Sequence, residues 1–128
     1  MTSLNVRCLF LALLLLVPVG ADPSGLRLDN GKRWKVEPKM MVHLRAIETA
    51  LQSTSVSPKE TSKVLQDRLQ SLMASCTMTG PAHDELHKWL VPFMETANAL
   101  AESSSEKQQR KLLDRLRDSY QSFNTHFH

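Results

Sequence analysis

The chain has 128 residues, of which 23% are charged and 5% aromatic, and its formal net charge is +3. That length holds one domain, and so small an excess of cations argues against binding nucleic acid or an anionic membrane surface. Two cysteines exclude a disulfide-rich scaffold.

Residues 1–21 carry the marks of an export leader. Arg7 precedes an uninterrupted apolar run from Cys8 to Val19, and small residues follow for cleavage after Ala21. The run is 12 residues long, whereas a helix needs about 20 to cross a bilayer. With the leader removed the protein is expected to be periplasmic or secreted, with no membrane segment. Arg7 is the one charged residue lost, so the net charge falls to +2. Cys8 leaves as well, and Cys76 becomes the one thiol. None of Asn5, Asn30, Asn98 and Asn124 begins an Asn-x-Ser/Thr site, which points to a bacterial rather than a eukaryotic exported protein. A single thiol in an oxidising compartment must be buried, ligated, oxidised or cross-linked between two copies, so a homodimer stands as one expectation.

Residues 22–25 (DPSG) form a short flexible lead to a single domain over residues 26–128. Within residues 26–36, LRLDNGKRWKV, apolar and polar residues alternate on both sides of Asn30-Gly31. That dipeptide suits a type I′ turn, and the pattern predicts a β-hairpin. A lone hairpin is marginal in water, so Leu28, Trp34 and Val36 are expected against helices. The basic GKRWK stretch is expected to be a solvated face.

Four amphipathic helices follow. The first, over about 38–53, starts at Pro38 and repeats Met41, Leu44, Ile47 and Leu51. The second opens on SPKE, with Ser57 as cap, Pro58 in the first turn and Glu60 closing a capping box; its stripe is Leu65, Leu69, Leu72 and Cys76. The third starts after Gly80 at Pro81 and runs to about 101, with Leu86, Leu90, Phe93, Met94, Ala97 and Leu100 on one side. Pro92 inside it predicts a kink, or a break into two shorter helices. The fourth, over about 104–124, carries Leu113, Leu116, Tyr120, Phe123 and Phe127. The fold class is therefore all-α: an antiparallel four-helix bundle with a short N-terminal β-hairpin.

The chemistry concentrates at the second helix turn, SCTMTGPAHDELHKWLVP (75–92). Folding about residues 79–80 sets Cys76 opposite His83, and Leu72 or Met73 opposite His87. His83 and His87 at i and i+4 share a helix face. Cys76 offers a thiolate, and Met78 or Met73 a thioether. Two nitrogens with soft sulfurs suit copper first and zinc second. Asp84 and Glu85 match the helix dipole and could orient an imidazole. The expectation is a metal site for storage, sensing or delivery, made by Cys76, His83, His87, Met78 and Met73. The plain alternative is a non-catalytic structural or interaction domain in which these groups merely close the hairpin. A second alternative is non-covalent haem held by His83 or His87 with Met73 or Met94.

Other chemistries fail on spacing. HDELH has Asp84 where a zinc protease of the H-E-x-x-H type needs glutamate. Covalent haem needs a C-x-x-C-H run, which Cys76 cannot supply. Cys76 lies at a helix C-terminus, whose dipole opposes a thiolate nucleophile. No enzyme is expected. His43 sits beside the first apolar stripe and could approach the site, while His126 and His128 are expected in a solvated tail.

The run Cys76-Thr77-Met78-x-Gly80, then His83-Asp84-x-Leu86-His87-x-Trp89-Leu90, then Pro92, with LDNGKRWKV upstream, resembles a group of small exported bacterial proteins of uncharacterised function. The resemblance implies an exported helical domain and carries no activity, cofactor or partner with it.

Overall fold

A computed structural model describes residues 24–128. The expected leader (1–21), and the start of the lead after it, lie outside the described residues. The described chain is all-helical: α1 (Pro38–Gln52), α2 (Pro58–Ser75), α3 (Pro81–Glu102) and α4 (Glu106–His126). None of these helices is long and apolar enough to cross a membrane.

Local chemistry sets most boundaries. Proline opens α1, α2 and α3, where its fixed φ suits the first turn and its missing N–H would have had no partner. Ser57 and Ser105 cap α2 and α4, their hydroxyls accepting from the Glu60 and Gln108 amides at 3.2 and 3.3 Å. Gly80, before α3, has φ 85° and ψ −163°, a region open to glycine alone. The helix α3 continues through Pro92 as one element. Trp89, Leu90 and Phe93, all buried, hold it on both sides of the proline. That burial outweighs the roughly 3 kcal/mol an interior proline costs.

Short links fold the helices back on one another. α1 packs on α2, α2 on α3, α3 on α4 and α4 on α1, with α2 and α4 also touching across the centre. Bonds along the α1–α4 seam run in opposite chain directions: Asn124 Nδ2 donates to Glu48 Oε2, and Arg117 Nε to the Leu51 carbonyl. The core joins Met40, Leu44, Ile47 and Leu51 of α1 to Leu65, Leu69 and Leu72 of α2, with the α3 and α4 stripes closing it. Met41, expected on the α1 stripe, is half-buried at its edge, and Met40 takes the inner place. An aromatic cluster fills the α3–α4 half. Trp89 lies 4.7 Å from the rings of both Phe93 and Phe123. Its indole N–H donates to the Ser119 carbonyl at 2.8 Å, and the Tyr120 hydroxyl donates to the Leu44 carbonyl at 2.8 Å. Both aromatic residues thereby bury ring area without stranding a polar atom.

The segment before α1 departs from a simple hairpin. Asn30 (φ 50°) and Gly31 (φ 82°) make the expected tight turn, closed by Asp29–Lys32 amide–carbonyl bonds of 2.8 and 2.9 Å. That pair is an isolated bridge, and no strand extends from it among the described residues. Past the turn the chain pairs elsewhere. The Trp34 amide donates to the His126 carbonyl, the His128 amide to the Trp34 carbonyl, and the Val36 amide to the His128 carbonyl, at 2.8–2.9 Å. Leu26 and Val36 are buried, whereas Leu28 is exposed, against expectation. The indole N–H of Trp34 donates to the Arg27 carbonyl at 2.7 Å. This crosses the two arms and satisfies a backbone group that a ladder would otherwise have used.

Candidate functional site

The α2–α3 corner is built by a helix end, a five-residue link and a helix start. α2 stops at Ser75, so Cys76 is the extended C-cap residue rather than the last member of a helical stripe. Its amide donates to the Met73 carbonyl at 3.3 Å. Cys76 and Met78 are half-buried and pack on the core, and Cys76 is a free thiol. The link is tied to the start of α1, where the Thr77 hydroxyl donates to Glu37 Oε2 at 2.8 Å. Beside it lies a cleft of about 500 Å³ lined by Lys35, Glu37, Thr77, Met78 and Ala82. Neither histidine borders this cleft.

His83 and His87 do come together. Their ring centroids are 4.2 Å apart with the planes tilted 57°. The His83 side chain is 28% exposed, and its Nδ1 lies 3.9 Å from Asp84 Oδ1. His87 is exposed. The two rings do not replace leucines on the buried stripe. That stripe runs through Leu86, Leu90, Phe93, Ala97 and Leu100, and a helix turns about 100° per residue. His87 therefore sits about 100° round from Leu86, and His83 about 60°, on the flank that faces α2.

Met73 is 48% exposed on α2. Among the described residues no three His, Cys, Asp or Glu side chains form a group that could hold a metal ion. Cys76 is in no such group with the two histidines, and as the extended C-cap residue it packs against the core. His43 is also absent from the corner: it lies between α1 and α2, with Nδ1 3.5 Å from Arg68.

Two titratable groups lie where sequence patterning did not put them. Glu85, expected as a first-turn acid able to orient an imidazole, is buried. Its Oε2 accepts the Arg27 amide at 3.1 Å and its Oε1 accepts Lys88 Nζ at 2.5 Å. Burial raises the pKa of this carboxyl, but the Lys88 and Arg27 hydrogen bonds and charges outweigh it and hold the group below its ordinary value. The position falls about 100° from Leu86 on the flank away from the histidines, and only the N-terminal segment crossing it makes it interior. His126, expected in a frayed tail, is buried, with Nδ1 2.7 Å from the Ser122 carbonyl. The pairing of residues 34–36 with residues 126–128 holds it there. His128 is exposed.

Comparison with protein-family models, with curated proteins and with solved structures finds no match to this chain.

Proposed function

We propose that this is an exported helical-bundle protein that binds a borderline transition-metal ion at its α2–α3 corner, with His83 and His87 as the donors. The observation that supports this is the 4.2 Å approach of two imidazoles on one accessible helix flank. Imidazole suits Cu(II) and Zn²⁺ alike. No thiolate joins the two imidazoles in a group of three among the described residues, so the pull toward Cu(I) that a thiolate would bring does not enter this reading. The role is storage, sensing or delivery by binding, without turnover.

A tag-free protein lacking the leader would be titrated with Zn²⁺, Cu(II) and Cu(I) while stoichiometry and thermal unfolding are followed. An ion that binds only the folded state at a hundred times its Kd stabilises by about 2.7 kcal/mol. The melting temperature should rise with Zn²⁺ or Cu(II), and His83→Ala or His87→Ala should abolish the rise. Unchanged melting with every ion rejects the proposal. A second reading is a non-catalytic structural or interaction domain. The Thr77–Glu37 bond and the core packing of Cys76 and Met78 favour it, since they close the corner with no ligand. Under that reading neither histidine variant changes any response to metal.

A further inference from the structure

We infer that the cleft between α1 and α4 is a second binding site, which takes a zwitterionic dipeptide with its ammonium on Glu48 and its carboxylate on Arg117. The inference is independent of the metal-binding proposal.

The cleft follows from how α1 and α4 meet. Polar bonds join them: the Tyr120 hydroxyl to the Leu44 carbonyl, Arg117 Nε to the Leu51 carbonyl, and Asn124 Nδ2 to Glu48 Oε2. Along these ties lies a cavity of about 470 Å³. Small-molecule sites fall in the range of about 300–1,000 Å³ and favour the space between bundle helices. Leu51 and Tyr120, both buried, form its apolar wall. Burial, and then the Glu48 charge, raise the Tyr120 hydroxyl above its ordinary pKa, so it offers the cleft a ring and no charge.

Glu48 and Arg117 are the charged residues of the lining, and their signs are opposite. Each is positioned by hydrogen bonds and keeps capacity for more. Glu48 Oε2 accepts from Asn124, and its Oε1 accepts from nothing among the described residues. Arg117 gives Nε to the Leu51 carbonyl and Nη1 to Asp114, and its Nη2 donates to nothing among them.

The separation of the two charges sets the length of the ligand. Glu48 is tied to residue 124 of α4, whereas Arg117 reaches back toward Asp114. Residues 117 and 124 are about 10 Å apart along the helix, and the two side chains diverge from there. A hydrogen bond at each end takes up about 3 Å, which leaves about 4 Å or more for the ligand. A free amino acid carries both charges on one Cα and falls short. An extended dipeptide spans about 7 Å and reaches both, with the Gln52 and Gln121 amides beside its peptide group.

Titration of the leader-free, ¹⁵N-labelled chain with L-alanyl-L-leucine, followed by NMR, tests this. The amides of Leu51, Gln52 and Gln121 should shift and saturate. The N-acetylated and C-amidated forms of the dipeptide should each bind at least about tenfold more weakly, because a hydrogen bond to a charged group is lost. L-Leucine should also bind more weakly than the dipeptide. Glu48→Gln keeps an acceptor for Asn124, and in that variant the free and N-acetylated dipeptides should bind alike. If the variant fails to fold, the capped forms on the unaltered chain still decide. Capped forms that bind as well as the free dipeptide overturn recognition of its charged ends, and L-leucine binding equally well overturns the length. No saturable shift up to about 10 mM, beyond the millimolar range of weak recognition, overturns the site.

Discussion

Glu85 shows how one buried carboxylate can organise a whole segment. It receives the Arg27 amide from one side and the Lys88 ammonium from the other, beside the buried Leu26. Its pKa is held below the ordinary value, so the folded state favours the charged form more than the unfolded chain does. The sign follows directly. The stabilisation is complete above the unfolded value of about 4.3 and is lost as pH falls through the lower folded value. Thermal unfolding between about pH 6 and pH 3 should show stability dropping on the acid side. Glu85→Gln keeps an acceptor for Arg27 but cannot titrate, so its acid-side slope should be shallower. Equal slopes in the two proteins would remove Glu85 from the acid response. The same scale explains why the histidines were only half legible. Their i, i+4 spacing is written in the sequence and gives the 4.2 Å pair. Whether that pair faces the core or its flank depends on which residue centres the stripe, and Leu86 rather than His83 does so.

Each helix was legible from its own residues because caps and apolar period act locally. Proline openings, serine caps and the Leu/Ile/Phe stripes mark α1 to α4 to within about two residues. Two element-level substitutions separate backbone chemistry from packing. Nothing lies within 4 Å of a Cβ built on Gly80, so crowding is absent and only its positive φ resists replacement. Gly80→Ala should cost about 1–3 kcal/mol in urea unfolding. A neutral result would mean that the link relaxes to a negative φ. Pro92 is the opposite case: an exposed residue that removes the N–H bound for the Lys88 carbonyl within a continuous helix. Pro92→Ala should stabilise by on the order of 1–3 kcal/mol, read as a higher midpoint in the same unfolding series. A loss of stability there would mean that the bundle packs around a bend the proline creates.

At the scale of the molecule, residues 24–36 and 126–128 belong to one structure although about ninety residues lie between them. Phe127 is 1% exposed and stacks on Phe123 with ring centroids 5.1 Å apart, while its neighbours bond the backbone of Trp34 and Val36. Phe127→Ala should cost about 3–5 kcal/mol in urea unfolding. It should also shift Trp34 fluorescence toward that of a solvated indole, because the bridge partner of Trp34 loses its anchor. A cost below about 1 kcal/mol, with unchanged fluorescence, would mean that the N-terminal segment is held by Leu26 and Glu85 alone.

What the sequence determined by itself was whatever short-range chemistry controls. This covers the four helices, their caps, the Asn30–Gly31 turn, the apolar stripes and the pairing of His83 with His87. Tertiary structure decided where each of these faces. The predicted hairpin builds no ladder beyond Asp29–Lys32 because the Trp34 and Val36 amides find partners at His126 and His128, a choice no local pattern encodes. Glu85 and His126 became interior because that segment crosses them. Cys76 left its stripe because α2 ended one residue before it. Local rules act over one helical turn, whereas burial and pairing are settled by chain segments that meet only after the bundle has closed.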